Sequence, residues 1–386
     1  MAPRLTIILP MKGRCLFTLR FLWHANKVRL PYRFLIADGQ VNEAVAGYLE
    51  NSREIFPELD IEYVRYPNDV DYSRYFAKMS DALQRVRTPY AMVADNDDFL
   101  GFDGIERALD FLDANADYVC ARGRVAAFSV YSGLGNPDGG VRGRLNRLYM
   151  SSDTEDISAP VVTERLRQGG LCLLLYYAVY RTEALATIWR EDAEIDFSDM
   201  MLHETFHAMR ALTLGKVRTN KATITYFSQS GTSLSYQPLR DWVRHLLRSR
   251  FTSEAHAVVE RISIAAATAD GGGDAAIAEE VRTIIERYFR EFLSINYGLL
   301  TQIKRVMREK LPNLFRYLQT RPRFFIGRER SALLRQLANA GASPDDLRRS
   351  RKDLAEIEGA LSREAFADFA GPFLPMVRAD GSRDWL

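Results

Sequence analysis

The chain has 386 residues, 47% hydrophobic and 26% charged, with 24 glycines and 14 prolines spread along it, which excludes disordered, collagen-like and low-complexity proteins. Its length calls for about two or three domains, and 52 Lys and Arg against 50 Asp and Glu leave +2, no charge signal for a nucleic-acid partner. Cys15, Cys120 and Cys172 form no Cys-x-x-Cys and fit a reducing compartment, and no apolar run reaches spanning length, so the expected setting is cytoplasmic.

In chain order, Leu5–Leu9 reads as a buried strand stopped by Pro10 and Gly13, and Cys15–Asn26 has helical spacing. Tyr32–Ala37 is a second strand ending at Asp38-Gly39, followed by a helix over Glu43–Asn51. Ile61–Tyr66 is a third strand and Tyr72–Val86 a helix. Thr88–Ala94 is a fourth strand that runs straight into Asp95-Asn96-Asp97-Asp98, with a helix over Asp103–Asn115 and a strand over Ala116–Ala121 after it. Strands alternating with helices predict βαβ units, hence an α/β fold with a mostly parallel sheet and helices on both faces. Ligands in such sheets bind beyond the carboxyl ends of the strands, so Lys12, Asp38 and Asp95–Asp98 are expected along one edge.

Arg122–Gly170 shows no sustained period and is rich in Gly, Asn, Asp and Ser, the pattern of a long loop or loose hairpin that serves as a functional lid or mobile segment. Leu171–Tyr180 reads as a strand, Glu183–Arg190 and Ser198–Leu214 as helices, with Gly215 as C-cap, and Val217–Asn220 with Ala222–Phe227 as a closing hairpin. Beyond Pro238 the strands stop, and Trp242–Ala266, Ala275–Leu300, Gln302–Leu318, Ser331–Ala340 and Ser343–Arg363 read as helices around a Gly271–Gly273 linker. The expected division is an α/β domain over 1–235 and an all-helical domain over 236–386. Within the latter, Thr301–Arg330 holds nine Lys/Arg against two Glu, with Phe315, Tyr317, Phe324 and Phe325 interleaved. It reads either as a solvated face packed through its aromatics or as a basic surface for anionic lipid or polymer.

The chemistry concentrates at Asp95-Asn96-Asp97-Asp98. Three carboxylates in four residues repel one another and exceed what a turn needs; a hard divalent cation resolves the repulsion. Mg²⁺ typically takes one or two carboxylates plus phosphate oxygens, and a strand's carboxyl end is where a phosphorylated ligand sits.

Ile8-Leu9-Pro10, Ala37-Asp38-Gly39 and Val93–Asp98, each at a strand end, resemble the family 2 glycosyltransferases of GT-A fold. Thr88-Pro89-Tyr90, Asp95-Asn-Asp-Asp-Phe99 and Ser198–Glu204 further resemble a bacterial subfamily with an Asp-Asn-Asp-Asp-Phe motif. The resemblance covers roughly residues 1–235, not the helical remainder. It implies a metal-dependent, inverting transfer from a nucleotide-sugar donor to a glycan or lipid-linked acceptor, in bacterial surface glycan or glycolipid synthesis. Asp38 would accept from the base, Asp95 with Asn96 would face the ribose, and Asp97 with Asp95 would hold Mg²⁺ or Mn²⁺. Pro10, Lys12 and Lys78 would border the nucleotide, with Arg74 competing for the place of Lys78.

The family's base precedes a glycine by about a dozen residues, which puts Glu204 there ahead of Gly215, with Asp199 as the rival one turn earlier. The same stretch, His203-Glu204-Thr205-Phe206-His207, is a literal HExxH and carries the alternative of a zinc peptidase, although no third ligand follows at the usual spacing. A non-catalytic sugar-nucleotide scaffold is the other alternative. Tyr176 and Tyr177 read as core aromatics or as a platform for a sugar ring.

Overall fold

In a computed structural model of the chain, β1 (Leu5–Met11) lies between parallel partners β2 (Arg33–Asp38) and β4 (Tyr90–Val93). The structure describes residues 3–40, 43–131, 140–151, 155–169, 173–198, 200–230, 249–271, 275–297, 303, 306–307, 310–311 and 326–372. A strand covered on both faces must be apolar, which Leu5–Leu9 is except at Thr6, whose buried hydroxyl pairs with that of Thr88 at 2.7 Å. β3 (Asp60–Arg65) extends the parallel ladder beyond β2. Helices α1 (Cys15–Val28), α2 (Glu43–Glu50), α3 (Ser52–Ile55), α4 (Tyr72–Arg85) and α5 (Phe102–Ala114) supply the crossovers.

The second half of the sheet differs from the expectation. Of the two readings of residues 122–170, the described ones take the hairpin: β6 (Tyr118–Tyr131) runs through Arg122 and pairs antiparallel with β7 (Arg144–Met150), with α6 (Val162–Gly169) following. Residues 132–139, 152–154 and 170 lie outside the described residues. Of the expected strand over Leu171–Tyr180, residues 171–172 lie outside the described residues, Leu173–Tyr177 forms a 3₁₀ turn, and only its end belongs to the short β8 (Val179–Arg181). Helices α7 (Thr182–Ile195) and α8 (Met200–Leu214) follow.

The expected closing hairpin is one strand, β9 (Lys216–Gln229), parallel to β6 with its register shifting around Gly123 and Arg124. A Cβ at Gly123 would lie 2.6 Å from Thr223 Oγ1 and 2.7 Å from Thr223 O, so the irregular crossing needs a glycine. With β5 (Phe99–Leu100) on β9, the order among the described residues is β3-β2-β1-β4-β8-β6-β9-β5, with β7 also on β6.

Alternate residues of β1 point into different cores. Ile8 joins Phe76, Trp189 and Phe206 under α4, α7 and α8, whereas Ile7 and Leu9 join Phe17, Leu22 and Leu109 under α1 and α5. The sheet is thus α/β with helices on both faces, and a helical region follows. Its described helices are α9 (Ser249–Ala269), α10 (Ala275–Tyr297), α11 (Ile326–Asn339), α12 (Pro344–Ala360) and α13 (Arg363–Ala370).

These helices finish cores begun by the α/β part. Val258, Ile262, Val281 and Ile285 close the α7–α8 side, Phe366 and Phe369 the α1 side, and Leu333, Leu337, Leu354 and Ile357 cover Phe128 and Phe227. Polar links reinforce the seams. Asp270 accepts from the Val162 and Thr163 amides at 2.7 and 3.0 Å, capping α6, and Arg107 and Asp103 of α5 pair with Asp346 and Arg349 of α12. Most of the basic segment 301–330, residues 231–248 and Gly272–Gly273 lie outside the described residues. No helix among those described is long and apolar enough to cross a membrane.

Candidate active site

A cleft of about 720 Å³ opens where β1 and β4 end. Pro10 and Lys12 line it after β1, Asp95–Asp98 after β4, and Glu204 from α8. The chain leaves β1 through two left-handed residues, Gly13 (φ 62°) and Arg14 (φ 52°). Such a backbone costs little at glycine but is uncommon at arginine, and here it brings the Arg14 guanidinium to 2.8 Å from the Asp97 carboxylate.

The three carboxylates of the turn occupy different surroundings. Asp95 accepts from the Tyr177 hydroxyl at 2.7 Å, while its amide donates to the Tyr226 oxygen at 2.8 Å. Burial, with the Asp97 carboxylate beside it, pushes the Asp95 acid up to about 6. Asp98 is 2% exposed and accepts from the Gln229 amide at 2.6 Å, tying the turn to the end of β9; burial and its two acidic neighbours raise it well above the usual range. Asp97 faces Arg14, and its carbonyl accepts from Arg20 at 2.5 Å. Arg20 is wholly buried over the Phe99 ring, and burial lowers it to about 9 although Asp97 and Asp98 oppose the shift. Asn96 turns inward and donates to Thr18 at 3.1 Å.

Oxygens of Asp95, Asp97 and Asp98 come within 4.8 Å of one another. Two of these acids are raised by burial and mutual repulsion, and Arg14 pairs with Asp97 alone. The oxygen-only donor set and its excess negative charge fit a hard divalent cation.

Asp38, expected at the base, is fully buried and does not line the cleft. Its oxygens accept from the Tyr63 hydroxyl at 2.6 Å and the Gln40 amide at 3.0 Å, and burial raises it. The carboxylate that does line the cleft there is Asp69, which no motif marked. It is 1% exposed at its side chain and pairs with Lys78 at 2.5 Å, with Lys12 at 3.8 Å. Lys78 is therefore a buried cation rather than a surface one, and burial lowers it against the pull of Asp69. Gly39 is required by this packing: a Cβ there would fall 2.1 Å from Asp69 Oδ2. Arg74 sits at the amino end of α4, its amide bonded to Asp71 at 2.9 Å.

Glu204 borders the cleft, whereas His203 and His207, its HExxH companions, are 0% exposed behind it. Asp199 lies outside the described residues. No peptide can reach the imidazoles, so the motif does not assemble a peptidase site. Tyr176 and Tyr177 are cleft walls with their own partners: the Tyr176 hydroxyl pairs with Tyr75 at 3.0 Å, and Tyr177 stacks on Tyr226 at 4.3 Å. Arg14 and Asp69 are the site residues to which the sequence reading gave no role. Lone residues in loops carry no periodic signal, and only Gly39, a glycine just past a strand, hinted at a close approach there.

No family model matches the chain, and no curated protein matches it. Among solved structures, S. aureus TarS residues 1–349 resembles it with a TM-score of 0.45 and 10% identity over 93% of this chain and 90% of that one. The same protein in complex with UDP-GlcNAc has a TM-score of 0.46 and 13% identity, covering 93% of both chains. The Pyrobaculum calidifontis mannosyltransferase PcManGT, in complex with GDP-Man and Mn²⁺, has a TM-score of 0.38 and 11% identity over 83% and 87%. Likenesses this distant assign neither activity nor ligand.

Proposed function

We propose that the chain is a glycosyltransferase that moves a sugar from a nucleotide-sugar donor to a hydroxyl acceptor, with inversion at the anomeric carbon. One observation supports the reading: a single cleft is lined by the Asp95–Asp98 carboxylates, the cations Lys12, Arg14 and Lys78, and the Glu204 carboxylate of α8. Cations for a phosphate together with an acid able to take a proton are what a displacement at a glycosyl phosphate requires.

In this reading Asp69 accepts from the nucleobase in place of the enclosed Asp38. Asp95 meets the ribose, and Lys12 and Arg14 lie toward the diphosphate. Asp97 and Asp95 would hold Mg²⁺ or Mn²⁺, which when bound would neutralise charge on the departing nucleoside diphosphate. Glu204 takes the proton from the acceptor hydroxyl as its oxygen forms the new bond to the anomeric carbon and the bond to phosphate breaks. The wall of Tyr75, Tyr176 and Tyr177 excludes water, which protects the activated sugar from hydrolysis. The setting, bacterial surface glycan or glycolipid synthesis at the inner face of the membrane, rests on the family resemblance of residues 1–235, and the boundary near residue 235 with the basic segment 301–330 as acceptor or lipid contact is read from the sequence pattern.

The test is calorimetric titration of UDP, GDP and their sugars with and without Mn²⁺, followed by a transfer assay with the donor that binds. Metal-dependent nucleotide binding that is lost in Asp97→Asn is the expected result. Binding without any turnover would leave a sugar-nucleotide scaffold; no nucleotide binding at all would end the proposal.

A further inference from the structure

α7 and α8 pack together around a buried cluster that does not line the cleft. His203 and His207 lie one turn apart on α8, and Asp192 faces them from α7; all three are 0% exposed. One ligand atom from each lies within 4.8 Å of the other two. Among the described residues none of the four imidazole nitrogens or the two Asp192 oxygens makes an aligned hydrogen bond; the nearest approach is His203 Nδ1 to Asp192 Oδ1 at 3.1 Å. The surroundings are mostly rings: Phe76 lies 4.8 Å and Trp189 4.9 Å from His203, and Tyr180 lies 5.5 Å from His207. The Tyr180 hydroxyl is committed to the Leu175 carbonyl at 2.9 Å, and the Trp189 indole N–H makes no aligned hydrogen bond. Buried polar groups are normally satisfied, and six ligand atoms without an aligned partner ask what satisfies them.

A proton shared between His203 and Asp192 would answer for one pair and leave His207 bare. A cation answers for all three residues at once. Imidazoles at i and i+4 on one helix face, joined by a carboxylate from a neighbouring helix, form the mixed nitrogen and oxygen set that suits Zn²⁺, in contrast to the oxygen-only cluster at Asp95–Asp98. We propose that Asp192, His203 and His207 form a second, buried metal site for a divalent transition metal, zinc by its ligands, that clamps α8 to α7. Its role is structural, since nothing from solvent reaches it. The intervening residue, Glu204, points instead to the cleft, so the clamp fixes the helix that carries it. The site stands whether or not the chain transfers sugars.

The experiment measures metal in tag-free protein purified without chelator, by elemental mass spectrometry, then repeats it after dialysis against a chelator and reconstitution with Co²⁺. Stoichiometric zinc and the visible absorption of cobalt bound by nitrogen ligands are expected. His207→Phe, which suits the aromatic walls, should reduce both to trace levels, while Asp97→Asn retains them. Wild-type protein with only trace transition metal and no cobalt absorption would overturn the site, as would His207→Phe that still holds zinc. Should His207→Phe fail to fold, Asp192→Asn and the wild-type cobalt spectrum decide in its place: nitrogen-ligated cobalt supports the site and an all-oxygen spectrum refutes it.

Discussion

Asp69→Asn isolates what the buried pair beside the cleft contributes. The Lys78 and Asp69 side chains are 2% and 1% exposed and 2.5 Å apart, so the substitution leaves without its partner carboxylate an ammonium that borders the cleft but is almost entirely shielded from water. Removing one partner of a buried pair costs about 3–5 kcal/mol. The ceiling follows independently. Lys78 can escape by losing its proton, and from an ordinary value of 10.5 deprotonation at pH 7 costs about 5 kcal/mol at 1.36 kcal/mol per unit. Nearby Asp38 still favours the charged form and keeps the real cost toward the lower figure.

The sign with pH is fixed. A lysine lowered in the folded state binds fewer protons there than in the unfolded chain, so stability rises with pH between the folded value and 10.5. Asp69 raises Lys78, so its loss lowers the lysine further, and between the variant's and the wild type's folded values only the variant gains stability with pH; the deficit of Asp69→Asn should therefore shrink by up to about 1.4 kcal/mol per unit from pH 7 to 9. Urea denaturation of wild type, Asp69→Asn and Asp69→Asn/Lys78→Met at both pH values measures this, the double variant recovering most of the loss. A single variant within about 1 kcal/mol of wild type at pH 7, below the range for a broken buried pair, or a deficit that does not change with pH, would refute the argument.

Glu204→Gln should leave nucleotide binding near normal and lower turnover by roughly 10²–10⁴, the share of a general base; a rate within a factor of a few in a transfer assay would move the role elsewhere. Asp95 is raised to about 6, so the folded chain holds a proton that the unfolded chain has lost, and metal-free stability should fall as pH rises from about 4 to 6. Asp95→Asn should flatten that slope and raise the metal-free melting temperature at pH 7, read by calorimetry without divalent ions. Truncation after Ser235 should yield aggregated protein, because it bares the faces that Val258, Ile285, Phe366 and Leu354 cover; a soluble, monomeric truncation with a cooperative melt would show that those helices are dispensable to the cores.

The amino acids by themselves determined the parallel half of the sheet and the place of the acidic turn. Leu5–Leu9 and Tyr90–Val93 are apolar because both faces of each are covered, and a polar turn directly after such a run has nowhere to go but the carboxyl edge. The amino-terminal helices α1, α4 and α5 were legible for the same local reason, their apolar spacing. What the order of residues did not contain was pairing. β6 is interrupted by Arg122, Gly123 and Arg124 and is held by β9 some hundred positions away, so no window of the sequence holds both sides of its ladder.

Tertiary structure alone also decided the facing of side chains. It turned Asp38 inward to Tyr63, left the cleft to Asp69, and brought Arg14 to Asp97 through two left-handed residues. On one turn of α8 it sent Glu204 to the cleft and His203 to Asp192, splitting a contiguous motif between two environments. Spacing along a helix says which residues share a face; which neighbour that face meets is set by packing between elements distant in the chain, and there the chemistry of each side chain is chosen.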